Sequence, residues 1–218
     1  MSDSRWENEI YANGRQINRW PYTEVVSRVL RAAGNTQAAV LELGCGTGNN
    51  LRFLAAHGFQ TFGIDSSATA IERARELLTG DALDASLEVG DMAQLPWPDE
   101  TFDLVIDRAA LVHNRPDQIG RILAETFRTL KAGARVISIG LKSTAHPDLA
   151  FAQRQPGGAW SQFSQGKFKG LGEVSFFSPD EAQQLFSDFD AVAIEILTRS
   201  NQHGEILDQE YIIEAIRP

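Results

Sequence analysis

The stretch Val40-Leu41-Glu42-Leu43-Gly44-Cys45-Gly46-Thr47-Gly48-Asn49 decides the fold. The apolar run from Ala38 to Leu43 predicts a buried parallel strand. Three glycines at alternate positions follow it, and glycine permits positive φ angles and a close approach of a ligand to the backbone. A helical pattern comes next. We therefore expect a ligand over the carboxyl end of this strand, at the start of the following helix.

Strand and helix patterns alternate after this turn. Strands are predicted at 38–43, 61–64, 86–89, 102–106 and 134–141, with helical patterns between most of them. Segment 142–177 interrupts the rhythm with many glycines and aromatic residues, and a helix with a capping box starts at Ser178. Strands at 191–197 and 210–216, joined without a helix, predict an antiparallel hairpin. The fold class is therefore α/β, with a Rossmann-like doubly wound sheet of seven strands.

Composition limits the classes of protein. A chain of 218 residues with 43% hydrophobic and 22% charged residues suits one α/β domain over 1–218, with residues 1–35 as an amino-terminal lid and helix. It has no 18-residue apolar run, and residues 1–7 lack an apolar signal region, so a cytoplasmic protein without membrane contact is expected. One cysteine and four scattered histidines indicate no metal site. A net charge of −9 favours a small-molecule substrate over nucleic acid.

The motif Glu42-x-Gly44-x-Gly46-x-Gly48 resembles the first motif of the class I S-adenosylmethionine (SAM)-dependent methyltransferases. Gly90-Asp91-Met92, followed by Phe102-Asp103, resembles a second block of the small-molecule, type 11-like members. The resemblance implies SAM as cofactor and the strand order 3-2-1-4-5-7-6, with strand 7 antiparallel. A dinucleotide-binding G-x-G-x-x-G loop would need a small residue at Asn49 or Leu51. A Rossmann-fold NAD(P)-dependent oxidoreductase and a non-catalytic SAM-binding protein remain the alternatives.

The predicted cofactor residues follow from the motifs and strand ends. Asp65, at the end of the second strand, can accept hydrogen bonds from both ribose hydroxyls. The resemblance assigns Asp91 to the adenine amino group and Met92 to the ring, and Asp107 is a candidate partner of the SAM ammonium group. The full predicted set is Glu42, Gly44, Cys45, Gly46, Gly48, Asp65, Ser66, Asp91, Met92, Asp107 and Arg108.

The transfer is expected to be O- or N-directed. His113 is the candidate catalytic base that would take a proton from an acceptor hydroxyl, because the pKa of an unperturbed histidine lies near neutrality. Its alternative role is to cap the next helix. Tyr11 and Arg15 are predicted lid contacts. Segment 142–177 is predicted to be an acceptor-side insertion, with Arg154, Trp160 and Lys167 touching the acceptor. With Lys142 and Lys169 it carries four cations against Asp148 and Glu173, which favours an anionic or sugar-linked acceptor, whereas the alternative is a solvated loop.

Overall fold

The structure is a computed structural model that describes residues 6–15, 17–34 and 36–218. Residues 1–5, Gln16 and Asn35 of the predicted amino-terminal lid lie outside the described residues. The helices are α1 Thr23–Ala32, α2 Asn49–Ala56, α3 Ala68–Gly80, α4 Pro116–Thr129 and α5 Pro179–Leu185. The strands are β1 Ala39–Leu43, β2 Gln60–Asp65, β3 Ser86–Val89, β4 Phe102–Arg108, β5 Leu130–Ser143, β6 Gln153–Arg154, β7 Trp160–Ser161, β8 Phe176–Phe177, β9 Asp190–Ser200 and β10 Ile206–Ile216.

The main sheet has the order β3-β2-β1-β4-β5-β10-β9. Strands β1 to β5 pair in parallel, and β10 runs antiparallel to both β5 and β9. The Rossmann-like fold class and the order with one antiparallel strand are thus confirmed. The short β8 also pairs with β5, and β6 and β7 form a separate hairpin, neither of which the sequence indicated.

Helices cover both faces of the sheet. Every residue of β1 is buried, and the strand period of two sends Val40 to one face and Leu41 to the other. Val25 of α1 and Ile71 of α3 pack on the face of Val40, whereas Ile119 of α4 packs on the face of Leu41. This two-sided burial explains why the strand reads as one continuous apolar run.

Segment 142–177 is packed against the sheet. Its buried side chains are Ala159, Phe163, Phe168, Leu171, Val174, Phe176 and Phe177. Its backbone returns to the sheet at β8, which pairs in parallel with the carboxyl end of β5. The alternative of a solvated loop is therefore wrong for this segment, because Phe163, Phe168, Phe176 and Phe177 form part of the core.

The described helices contain no apolar stretch long enough to span a bilayer.

Gly48 provides a test of the turn that follows β1. Its φ is +83°, and an added Cβ would lie 2.9 Å from the Cβ of Ala74 in α3. We expect Gly48→Ala to lower the free energy of unfolding by about 2–4 kcal/mol, from left-handed strain and overpacking. The matched control is Gly120→Ala in α4, where an added Cβ meets no atom within 4 Å. The control should be neutral or stabilising by up to about 1 kcal/mol. Urea unfolding that ranks the two variants equally would contradict this account.

Candidate cofactor and acceptor site

A cavity of about 1050 Å³ opens at the carboxyl ends of the parallel strands. Its walls include the turns after β1 to β4 and Lys142 near the end of β5. The amino-terminal segment, the 142–177 segment and the start of β10 complete the walls. This is the edge at which open α/β sheets bind their ligands.

The glycine turn forms the wall after β1. Gly44 and Gly46 have φ angles of +59° and +52°. A Cβ on Gly44 would overlap the side chain of Ala110, and a Cβ on Gly46 would lie 2.8 Å from the hydroxyl oxygen of Tyr11. Both positions therefore need glycine for the backbone conformation and for the close approach of neighbouring segments.

Asp65 fastens this turn to the next one. Its carboxylate accepts hydrogen bonds of 2.9 Å from the backbone N–H groups of Gly46 and Ser67. Burial raises the pKa of Asp65, and these two backbone bonds oppose the rise. A carboxylate offers about four acceptor positions, so the two bonds leave capacity for hydroxyl donors. Asp65 and Ser66 both line the cavity, and the ribose contact remains a prediction.

Glu42 supplies a buried carboxylate at the cavity wall. Its Oε1 accepts a 2.6 Å hydrogen bond from Asn50 Nδ2, whereas its Oε2 is buried without a hydrogen-bond partner in the described part of the chain. Burial raises the pKa of Glu42 to about 8. An unsatisfied buried carboxylate oxygen is stabilised by a cation. The ammonium group of SAM has the required charge, so the site fits this part of the cofactor.

The remaining predicted cofactor residues divide into two groups. Gly44, Cys45, Gly46, Asp91, Met92 and Arg108 line the cavity. Burial raises the pKa of the Cys45 thiol, which argues against a nucleophilic role. Gly48 is not part of the lining and instead brings α2 against α3.

Asp107 requires a correction. Its side chain is 1% exposed and is absent from the cavity lining. It accepts hydrogen bonds from the backbone N–H groups of Ala110 and Leu111 and from the Ser138 hydroxyl. These contacts hold the turn after β4, so Asp107 does not reach the cavity where the SAM ammonium group was predicted to meet it. Glu42 is the buried carboxylate that does line the cavity.

His113 lies in a 3₁₀ turn, Leu111–His113, and faces the cavity. Its Nδ1 is 3.3 Å from the carbonyl oxygen of Glu173. The ring packs edge-on against Trp6 at 4.8 Å between centroids, and Phe168 lies 6.4 Å away. The residue therefore belongs to an aromatic wall made by the amino-terminal and 142–177 segments.

Only some of the residues predicted to contact the acceptor line the cavity. Tyr11 and Lys167 line the cavity, whereas Arg15, Arg154 and Trp160 do not. Arg15 and Arg154 are exposed, and Trp160 is half-buried in the β6–β7 hairpin. Cavity residues that the sequence reasoning missed are Trp6, Phe163, Phe168, Arg199, Asp208 and Glu210. The spacing of Asp208 and Glu210 on one face of a strand was the available signal.

The excess of positive charge predicted for segment 142–177 is also corrected. Lys142 is buried and bonded to Asp208 and Glu210, and Lys167 Nζ lies 2.6 Å from Asp208. Acids from β10 therefore offset charges that looked unpaired in the segment itself. Lys169 is exposed and lies outside the cavity lining.

Comparisons with known proteins agree with this geometry. Residues 40–133 match the family described as "Methyltransferase domain". An uncharacterized methyltransferase of Geobacillus sp. (strain WCH70) is 29% identical over 147 residues, which cover 67% of this chain and 59% of that protein. The demethylmenaquinone methyltransferase of Lactiplantibacillus plantarum is 36% identical over 119 residues, covering 52% and 48% respectively. A solved SAM-dependent methyltransferase from Methanosarcina mazei has a TM-score of 0.72 at 21% identity, covering 91% of this chain and 98% of that one.

The sheet order defines a Rossmann-like fold, and the cavity lies at the carboxyl edge where open α/β sheets bind their ligands. Residues 40–133 are similar to the methyltransferase domain family, and the chain shares the fold of SAM-dependent methyltransferases. Both similarities indicate SAM as the cofactor. Its matched region spans between 48% and 59% of the length of these two curated relatives.

We expect SAM binding to depend on pH through the Glu42 carboxyl. Below pH 8 the ligand-free protein holds a proton on Glu42, because burial has raised its pKa to about 8. A bound ammonium group lowers that pKa, so binding at pH 7 should release close to one proton. SAM affinity should then rise by up to about tenfold per pH unit as pH approaches 8 and fall at higher pH, where the SAM amino group loses its proton. Calorimetry in two buffers of different ionisation enthalpy measures the released protons.

Glu42→Gln is the control for this prediction. The amide oxygen can still accept from Asn50, but the side chain no longer titrates. SAM binding should weaken, and the proton release should vanish. In the wild-type protein the free energy of unfolding should fall as pH rises from about 4.5 to 8, because the native state binds more protons than the unfolded state in this range. This fall should be absent in the variant. Equal proton release by both proteins would exclude Glu42 as its source.

Proposed function

We propose that the protein transfers a methyl group from SAM to a small-molecule acceptor, at oxygen or nitrogen, with His113 as the base. The observation that carries the proposal is the position of His113 on the cavity wall with Nδ1 next to the Glu173 carbonyl oxygen. A carbonyl oxygen can only accept, so this contact favours the tautomer with the proton on Nδ1. The basic lone pair then lies on Nε2. A base is needed for a hydroxyl more than for an amine, which favours oxygen as the acceptor atom.

When bound, SAM supplies a methyl group activated on a sulfonium sulfur. Glu42 would hold the ammonium group of the amino acid portion, and Asp65 would hold the ribose hydroxyls. The glycine turn would approach the cofactor closely. His113 would accept the acceptor proton at Nε2 as the bond from the acceptor atom to the methyl carbon forms. Residues of the chain thus contribute alignment and proton removal, which are the two demands of this displacement.

The amino-terminal segment would exclude water from the reaction. The Glu7 carboxylate accepts hydrogen bonds from the Ser67 hydroxyl and from the backbone N–H and hydroxyl of Thr69, at the start of α3. These bonds lower the pKa of Glu7. The turn Trp6–Tyr11 is thereby fastened over the cavity, with Trp6 on His113 and Tyr11 above Gly46.

A small acceptor is supported by the segments that flank the site. Residues 6–15 and 17–22 and segment 142–177 border the cavity, and aromatic side chains from both sides line it. The net charge of −9 offers no general attraction for nucleic acid. One relative is named for a small molecule, demethylmenaquinone. Segment 142–177 would form the acceptor side of this pocket.

His113 is tested by substitution once an acceptor panel, assayed by formation of S-adenosylhomocysteine, has given a substrate. We expect His113→Ala and His113→Gln to reduce turnover of a hydroxyl acceptor about 10²–10⁴-fold, with SAM affinity little changed. The variants should recover as pH approaches the pKa of the acceptor hydroxyl. The control is His203→Ala, in the exposed turn between β9 and β10, which should keep wild-type turnover. Near-normal turnover by both His113 variants across pH 6–9 would exclude the base role.

A further inference from the structure

A group of charged side chains, part buried and part exposed, adjoins the aromatic wall of the cavity. We name it the Asp208 cluster, and it consists of Lys142, His146, Lys167, Arg199, Asp208 and Glu210. Phe168 joins the cluster to His113. Its ring lies 6.4 Å from the His113 ring, 5.1 Å from the His146 ring and 5.1 Å from Lys167 Nζ.

Asp208 is the centre of the cluster. Its Oδ1 lies 3.1 Å from Lys142 Nζ and 3.0 Å from His146 Nε2. Its Oδ2 lies 2.6 Å from Lys167 Nζ and 3.3 Å from an Arg199 nitrogen. These basic partners hold the pKa of Asp208 well below its usual range, although burial opposes them. Asp208 therefore remains ionised, and its carboxylate lies within 3.3 Å of a nitrogen of every other member except Glu210.

The cluster carries an excess of positive charge. His146 is neutral in this arrangement, because its Nδ1 accepts a 3.1 Å hydrogen bond from the Asp148 backbone N–H and so bears no proton. The charged members are three cations, Lys142, Lys167 and Arg199, and two carboxylates, Asp208 and Glu210. One positive charge is not offset inside the cluster. Burial lowers the pKa of Lys167, and the neighbouring Lys142 adds to this effect, as expected for incomplete compensation.

The excess charge faces the cavity at two side chains. The Lys142 side chain is 4% exposed and is already bonded to both carboxylates. The Lys167 and Arg199 side chains are 39% and 73% exposed, share one oxygen of Asp208, and line the cavity. A lysine and an arginine held on either side of one carboxylate oxygen can offer their remaining N–H donors to a second carboxylate.

We propose that Lys167 and Arg199 form a carboxylate-binding subsite and that the methyl acceptor is an aromatic compound bearing one carboxylate. The aromatic ring packs against Phe168, the carboxylate binds Lys167 and Arg199, and the reacting hydroxyl reaches His113. The geometry allows this span, since His113 and Lys167 both lie against Phe168. The proposal rests on the proposed function for its reacting group, whereas the subsite itself rests on the Asp208 cluster alone.

The surrounding acids favour a carboxylate over a phosphate. Asp208, Glu210 and the buried Asp148, whose Oδ2 accepts a hydrogen bond from the Phe168 backbone N–H, already place three carboxylates beside the subsite. A carboxylate adds one negative charge there, whereas a phosphate near its dianionic form would add two. The exposed Arg154 and Lys169 do not line the cavity and take no part in the subsite. They provide matched controls in the same segment of the chain.

The test uses probes that differ only in charge. 4-Hydroxycinnamate and 4-hydroxycinnamamide are titrated by calorimetry into the full-length protein saturated with S-adenosylhomocysteine. We expect the carboxylate to bind at least tenfold more tightly than the amide. Lys167→Gln and Arg199→Gln should each reduce that ratio at least threefold, whereas Lys169→Gln and Arg154→Gln should preserve it. Thermal melting verifies that each variant is folded, and the largely exposed Arg199 keeps the test informative if Lys167→Gln is unstable.

The outcomes distinguish the subsite from the reaction. Equal binding of the two probes, no binding of the carboxylate, or a ratio that survives both Lys167→Gln and Arg199→Gln overturns the subsite. Methylation of the amide in any of these cases leaves the proposed function intact. Selective binding of the carboxylate without methylation of either probe supports the subsite and counts against the proposed function.

Discussion

Two buried carboxylates, Asp65 and Asp107, hold the turns on which the cavity depends. Each lies at the end of a parallel strand and accepts hydrogen bonds from backbone N–H groups of the chain that follows or faces it. Without these acceptors, N–H groups at the edge of a sheet would be buried and unpaired, which is costly. The bonds also fix the distance between the glycine turn and Ala110. The left-handed glycines are therefore a consequence of how closely these turns are drawn together.

This construction fills the base of the cavity with negative charge. Glu42, Asp65 and Asp107 lie close enough for the charges of Asp65 and Asp107 to contribute to the raised pKa of Glu42. Without a ligand Glu42 stays protonated, whereas a bound cation allows Glu42 to ionise. The sulfonium and ammonium groups of SAM both carry positive charge. The electrostatics of the cavity base thus favour this cofactor over a dinucleotide, whose pyrophosphate is anionic.

The sequence predicted best what is decided by neighbouring residues. The apolar run of β1, the glycine turn and Gly90-Asp91-Met92 are local signals. The fold followed from them, and most of the residues predicted to bind the cofactor do line the cavity. Asp107 was misassigned because a carboxylate at a strand end can face either a ligand or the turn. The three groups that donate hydrogen bonds to it show that it faces the turn, and the sequence does not reveal them. The charge of segment 142–177 was misjudged because Asp208 and Glu210 lie far along the chain. A count within one segment cannot include partners that the antiparallel pairing of β10 with β5 brings to it.

The two halves of the cavity are stabilised by different interactions. The cofactor half consists of strand ends and turns that backbone hydrogen bonds and positive φ angles fix, so a side-chain change there disturbs the fold. The acceptor half consists of side chains from segments 6–22 and 142–177 and from β9 and β10, packed on aromatic rings and ion pairs. Phe168 contacts both His113 and the Asp208 cluster, so its packing places the proposed base next to the proposed carboxylate subsite. Substitutions in this half can alter acceptor binding while the backbone that holds SAM stays unchanged.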